Sequence, residues 1–122
     1  MLKKYSLLKS FGYAFEGLKT AFKNEANFRI QLVIATIILS LSVLLKFSAL
    51  EMTILITVIG LVLILELINT TIEILGGEKI TPEIKIVKDI SSGAVLLAAI
   101  LSVVVGLMLF TPKIWEIWIS LL

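Results

Sequence analysis

Three polar side chains interrupt an otherwise apolar stretch: Glu66, Asn69 and Glu73, within Leu65-Glu66-Leu67-Ile68-Asn69-Thr70-Thr71-Ile72-Glu73. On a helix, Asn69 falls about 60° and Glu73 about 20° from Glu66, so all three share one face. Residues 52–65, which precede them, carry no charge. Carboxylates and an amide at the end of such a run are costly in hydrocarbon, which makes a functional role the first expectation. Paired carboxylates with an amide suit a hard divalent cation, and lysine suits phosphate as a point charge. Phosphoryl transfer needs a positioned metal, cationic stabilisation and a base on the acceptor. Glu25, Arg29, Lys88, Asp89 and Ser92 are expected at the same depth as the triad, so every required residue type is present.

The elements that must position these residues are helices in a membrane. The chain has 122 residues, of which 59% are hydrophobic, and its mean hydropathy is +1.11. That exceeds the apolar share of a soluble domain, and the apolar residues cluster in long runs. A bilayer core takes roughly 20 apolar residues per helix. Spans are expected at about 29–46, 52–75 and 88–110, the first being short with Lys46 snorkelling at its end. A soluble bundle of buried helices is the alternative, and the run lengths argue against it. Upstream, Leu8, Phe11, Phe15, Leu18 and Phe22 recur at helical spacing, with lysines between them. Residues 2–22 therefore read as an amphipathic surface helix, with packing as a fourth bundle helix the alternative. The expected architecture is all-α: one integral membrane domain over 1–122, a surface helix plus three spans.

There is no Cys and no His, which excludes thiol chemistry, disulfides, imidazole bases and the usual zinc ligands. Any metal must be held by oxygen, which favours magnesium, manganese or calcium. Lys3, Lys4, Lys9, Lys19, Lys23 and Arg29 precede the first span, and Lys79, Lys85 and Lys88 lie between the second and third. The positive-inside rule then puts the N-terminus and the second loop in the cytoplasm. Lys46, Lys113 and the Trp115 and Trp118 anchors fall on the other side. Anionic inner-leaflet lipid accounts for the basic bias, with no nucleic acid needed. No cleaved signal peptide is expected, because Lys3 and Lys4 are not followed by a continuous apolar run before Ile30.

The connections carry their own signals. Glu25 and Arg29 are spaced i,i+4 and, taken alone, read as a helix salt bridge. The short link at 46–51 makes the first two spans antiparallel neighbours. Gly76-Gly77 reads as a helix C-terminus. Thr81-Pro82-Glu83 reads as an N-cap with Pro in the first turn, starting a helix that runs into the third span. Gly93, Ala94 and Ala98 read as close-packing positions.

These motifs resemble the prokaryotic diacylglycerol kinase family, which includes undecaprenol kinases. The matching stretches are Ser10-Phe11-Gly12-Tyr13-Ala14-Phe15-Glu16-Gly17-Leu18-Lys19, Asn24-Glu25-Ala26-Asn27-Phe28-Arg29, the Glu66–Glu73 block, and Lys88-Asp89-Ile90-Ser91-Ser92-Gly93-Ala94-Val95. The resemblance covers about residues 10–105. It implies a small homotrimeric three-span lipid kinase of the bacterial cytoplasmic membrane, with ATP as donor and magnesium bound. Glu66 would be the general base on the lipid hydroxyl. Glu25 and Glu73 would hold the metal and, with Tyr13, Gly17, Lys88 and Asp89, border the nucleotide. Asn69, Arg29 and Ser92 would support the site, which protomers would share. The residues themselves give Tyr13, Gly17 and Ser92 no role beyond packing.

One departure from the family pattern stands out: an acidic residue is usual four positions after Glu73, where this chain has Gly77. The loop to Lys88-Asp89 is also short. Glu78 is a substitute only at the wrong angle. Retained activity is the expectation, since the metal and base positions are intact. Thr70 after Asn69 and the Lys-rich surface helix resemble the undecaprenol kinases of Gram-positive type, and that resemblance makes undecaprenol the expected acceptor, with diacylglycerol the alternative. Two other classes remain in view. A small transporter would have intramembrane carboxylates at the midplane, whereas Glu66 lies roughly 21 Å along the helix from Met52, at the inner edge. A catalytically silent family member would be supported only by Gly77.

Overall fold

The computed structural model describes residues 6–122 and contains four helices: α1 (Leu7–Asn24), α2 (Ala26–Leu44), α3 (Ala49–Gly76) and α4 (Pro82–Ser120). No strand occurs among the described residues. The last three are long and apolar enough to cross a membrane. The expected start of the surface helix at residue 2, and the charges of Lys3 and Lys4, lie outside the described residues.

Local chemistry sets each boundary. Ser6 caps α1 by accepting from Lys9 N. The α2 C-terminus closes with Lys46 N–H on Val43 O and Phe47 N–H on Ser42 O, with Lys46 at φ 57°. This pair of bonds is the Schellman arrangement, built on a left-handed residue. Two residues later Ser48 caps α3. Its hydroxyl accepts from Glu51 N at 3.1 Å while the Glu51 carboxylate accepts from Ser48 N at 2.9 Å, a reciprocal capping box. The turn between α2 and α3 is therefore tight, and the two helices are antiparallel neighbours as the short link required. Thr81 accepts from Ile84 N at 3.2 Å and Pro82 opens α4, as the sequence predicts.

Packing centres on α3. Its longest interface is with α4, the next with α2. The buried positions are few and mostly small or polar: Ala21 on α1, Phe28, Ala35 and Ser42 on α2, Leu55, Val58, Glu66 and Thr70 on α3, Ala98 on α4. Small side chains let helix backbones approach where lipid removes the hydrophobic drive. Ala98 is one of these contacts, but Gly93 and Ala94 are not. Both are exposed, and a Cβ at Gly93 would meet nothing within 4 Å. The packing stripe of α4 runs through Lys88, Ser91, Val95 and Ala98 instead, leaving Ala94 at its edge and Gly93 on the opposite side.

α1 is exposed along its length except at Ala21, so within the chain it is not a fourth bundle helix. Its Phe11, Phe15, Leu18 and Phe22 are uncovered, as for a helix lying at a membrane surface. α4 has 39 residues, about 58 Å of helix, which is far more than a hydrocarbon core of about 30 Å. It overruns the expected end at residue 110 and continues through Pro112 to Ser120, because only one N–H is lost at Pro112. At that end Lys113 reaches Glu51 at 3.2 Å and lies 6.0 Å above the Phe47 ring, which stands 4.8 Å from Phe110. Thus α4 is tied to the α2–α3 turn.

Glu51 serves both the cap and this tie, so the turn is expected to carry measurable stability. Ser48→Ala should lose about 1 kcal/mol, read as a lower thermal midpoint of the detergent-solubilised protein with the helix content unchanged.

Candidate active site

Glu66 is the most deeply buried charged side chain described, at 3% exposure. It lies on the α3 face turned toward α2 and α4. Its Oε2 accepts from Nε2 of Gln31 on α2 at 3.1 Å, and among the described residues no side chain engages its Oε1. One turn on, the Thr70 hydroxyl donates to the Glu66 carbonyl at 3.0 Å. That bond ties off a buried hydroxyl without using the carboxylate. Asn69 is half-buried, and among the described residues its Oδ1 is buried with no hydrogen-bond partner; the same holds for Gln31 Oε1. Two orphaned buried acceptors beside a carboxylate are unusual, since buried polar groups are nearly always paired.

Further along the same face, Glu73 pairs with Lys88 at 3.4 Å, and Lys88 Nζ donates to Gly77 O at 2.8 Å. The two glycines have separate reasons. Gly77 ends α3 at φ 56°, ψ −148°, a conformation open only to glycine without strain. Gly76 is still helical, but a Cβ there would lie 2.6 Å from Lys88 Cε. Gly76 therefore leaves the seat through which Lys88 reaches the end of α3, where its charge meets unpaired carbonyls. Position 77 does not extend the acidic face, because the helix stops there. Glu78 lies beyond the stop, exposed and without an ion pair among the described residues.

Other expected site residues are placed differently. Glu25 does not bridge to Arg29. The Arg29 guanidinium instead donates to Phe22 O and Lys23 O, each at 2.8 Å. It caps the C-terminus of α1 and locks the α1–α2 joint, a supporting role. Asp89 pairs with Lys85 at 2.6 Å on an exposed turn, away from Glu73. Ser92 is exposed, whereas Ser91 is on the packing stripe. Glu25 and Gly17 line a crevice of about 420 Å³ between α1 and α3, with Leu67, Thr70, Thr71 and Ile74 opposite. That α3 face lies about 110° around the axis from Glu73. Tyr13, on α1, is exposed.

The structure therefore joins Glu66, Asn69, Glu73 and Lys88 along one seam and sets Glu25 and Gly17 in a neighbouring crevice. The donor chemistry fits a hard cation, being oxygen throughout. Among the described residues, however, no three carboxylates of one chain converge to hold it. Gln31 was missed by sequence reasoning, although a lone amide near the start of an apolar span is a readable signal.

The pattern of the prokaryotic diacylglycerol kinase family matches residues 12–110. This chain belongs to that family. It is 37% identical over 118 residues to a diacylglycerol kinase of Synechocystis sp., covering 93% of this chain and 67% of the relative. It is 36% identical over 109 residues to the undecaprenol kinase of Bacillus subtilis, covering 87% and 89%. With a diacylglycerol kinase of Escherichia coli it shares 33% over 101 residues, covering 80% and 83%. The protein is a lipid kinase of this family, a phosphotransferase with an alcohol acceptor.

The seat of Lys88 in this kinase is testable without turnover. Gly76→Ala should expel Lys88 from the end of α3 while leaving the helix intact. The expected readout is faster acylation of Lys88 by an amine reagent, followed by peptide mass spectrometry; an unchanged rate would mean the lysine is not held there.

Proposed function

We propose that this lipid kinase transfers the γ-phosphoryl group of ATP to the primary hydroxyl of undecaprenol, giving undecaprenyl phosphate and ADP. The observation that carries the mechanism is the burial of Glu66 at the inner end of a membrane span, with one carboxylate oxygen held by Gln31 and the other open. A base in that place meets a lipid alcohol at its own depth. Glu66 takes the hydroxyl proton as the lipid oxygen bonds to the γ-phosphorus, and the bond to the ADP oxygen breaks. General-base assistance of this kind contributes roughly 10²–10⁴-fold.

Glu73 and Glu25 are the carboxylates that would hold magnesium beside the nucleotide. The cation, when bound, neutralises phosphate charge in the transition state. Lys88, seated between Glu73 and the end of α3, is placed to move onto a phosphate as a point charge. Asp89 with Lys85, and Gly17 and Tyr13 on α1, border the nucleotide. Asn69 supports the seam beside the base, Arg29 fixes the α1–α2 joint, and Ser92 is exposed on α4, open to a neighbouring copy. The angular separation of Glu25 from Glu73 supports a site completed between copies in a homotrimer.

The undecaprenol assignment is supported by the relative of that name, which matches along most of both chains. Diacylglycerol is the second reading, favoured by the names of the other two relatives. Basic residues before α2 and between α3 and α4 support a bacterial cytoplasmic membrane location, with the N-terminus and second loop in the cytoplasm.

Purified protein in mixed micelles with radiolabelled ATP and magnesium, offered undecaprenol and diacylglycerol in parallel, should label undecaprenol faster. Preferred labelling of diacylglycerol would transfer the assignment to that lipid. Glu66→Gln should lower kcat by at least about 100-fold with the helix content retained, and a fully active variant would remove Glu66 as base. Topology has a separate check, since the chain lacks cysteine. In intact cells a Lys79→Cys variant should resist an impermeant maleimide, and a Ser120→Cys variant should react.

A further inference from the structure

Gln31 is the one polar side chain from another helix that touches Glu66 among the described residues. It also forms the polar end of a groove of about 480 Å³, otherwise walled mainly by apolar residues of α2, α3 and α4 such as Ile34, Leu55, Leu63 and Val103. The groove thus leads from hydrocarbon depth to the residue that holds the base. No charge compensates Glu66 among the described residues, since Lys88 is occupied with Glu73 and Gly77.

We propose that Gln31 is the positioning residue for Glu66: it fixes the carboxylate so that Oε1 is presented to the acceptor hydroxyl. The inference rests on the reading of Glu66 as base. A carboxylate that is to take a proton is ionised and can only accept hydrogen bonds, so the amide must turn its NH2 group toward Oε2. That orientation commits the donor half of Gln31 to Glu66 and leaves its carbonyl as a buried acceptor with no partner. The observed pattern is what this division predicts, down to the atom left over. A charge-assisted hydrogen bond from a neighbouring helix removes rotational freedom from a side chain whose own helix supplies no restraint. An unoccupied acceptor beside the base suits an arriving hydroxyl, which carries a single proton to donate. Before transfer, that proton has Glu66 Oε1 and Gln31 Oε1 as its two possible acceptors. Asn69 Oδ1, one turn further along α3, is likewise buried and unpartnered among the described residues. With the Gln31 NH2 committed to Oε2, what is left toward the incoming group at Glu66 and Gln31 is acceptor oxygen, which suits an alcohol over an acid anion.

The test is steady-state kinetics of the full-length protein in mixed micelles with saturating magnesium. Gln31→Met keeps the length of the side chain and removes both amide functions. It should lower kcat for the lipid alcohol about tenfold while KM for ATP stays within twofold. Glu66→Asp withdraws the carboxylate from the reach of Gln31, so adding Gln31→Met in that background should cost less than about twofold more. If Gln31→Met fails to fold, Gln31→Asn, too short to reach, should show the same kcat loss, and the same loss of effect when combined with Glu66→Asp. Unchanged kcat, a loss carried by KM for ATP, or an equal tenfold loss in both backgrounds would each overturn the proposal. Glu66→Gln, run alongside, separates the two levels. If it is inactive while Gln31→Met is normal, Gln31 alone is misassigned; if it is fully active, the reading of Glu66 falls and this inference falls with it.

Discussion

The structure depends on burying one carboxylate at the end of a membrane helix. Glu66 lies among helices, with no lysine or arginine paired to it among the described residues, and its contact with another element is a single amide on α2. Interhelical hydrogen bonds in membranes average about 0.6 kcal/mol and reach about 1.7. One such bond is a small return for burying a charge, so the arrangement is a poor stabiliser. It makes sense if the carboxylate must be poised for a donor that the chain does not contain. The orphaned oxygens of Gln31 and Asn69 point the same way. A fold optimised for stability would have paired or replaced them.

The second constraint is where α3 stops. Gly77 adopts a conformation that side chains resist, and Gly76 yields its Cβ space to Lys88. Together they bring the lysine of α4 under the last carbonyls of α3 and within reach of Glu73. An acidic residue at position 77 would have no helical position to occupy here. Its absence shortens the acidic face by one turn and gives the freed helix end to a cation. In physical terms the departure is a rearranged helix terminus that keeps Lys88 beside Glu73.

Much of the fold is legible in the sequence because membrane helices leave few choices. Uncharged runs, two glycines and a Thr-Pro pair define three helices, and most of their ends, to within a few residues, and one polar face locates the candidate base. What the sequence hides is side-chain pairing. Glu25 and Arg29 have the spacing of a helix ion pair, yet Arg29 turns back onto the carbonyls of α1, because the extended backbone at Glu25 separates the two helices and leaves those carbonyls open. Gly93 has the composition of a contact and faces away, since its register on α4 is set by Lys88 and Ala98. Gln31 is readable only as a lone amide near the start of a span, since one amide barely perturbs the hydropathy, and its partner Glu66 is not given by spacing.

Ile, Leu and Val side chains are uncovered around α2, α3 and α4, which lipid tolerates and water does not. Lipid does not explain the polar residues. Gly17 and Glu25 face a crevice rather than the Glu66–Glu73 seam, and rotating α3 to bring Glu73 to Glu25 would carry Glu66 away from Gln31. One chain cannot satisfy both contacts with rigid helices. A second copy can, by presenting its α1 and Glu25 to the Glu73 side of the first. The angular spacing of residues on a single helix thus provides a physical reason for a shared site. The proposed trimer would meet the needs of metal binding and cover apolar surface with the same contact.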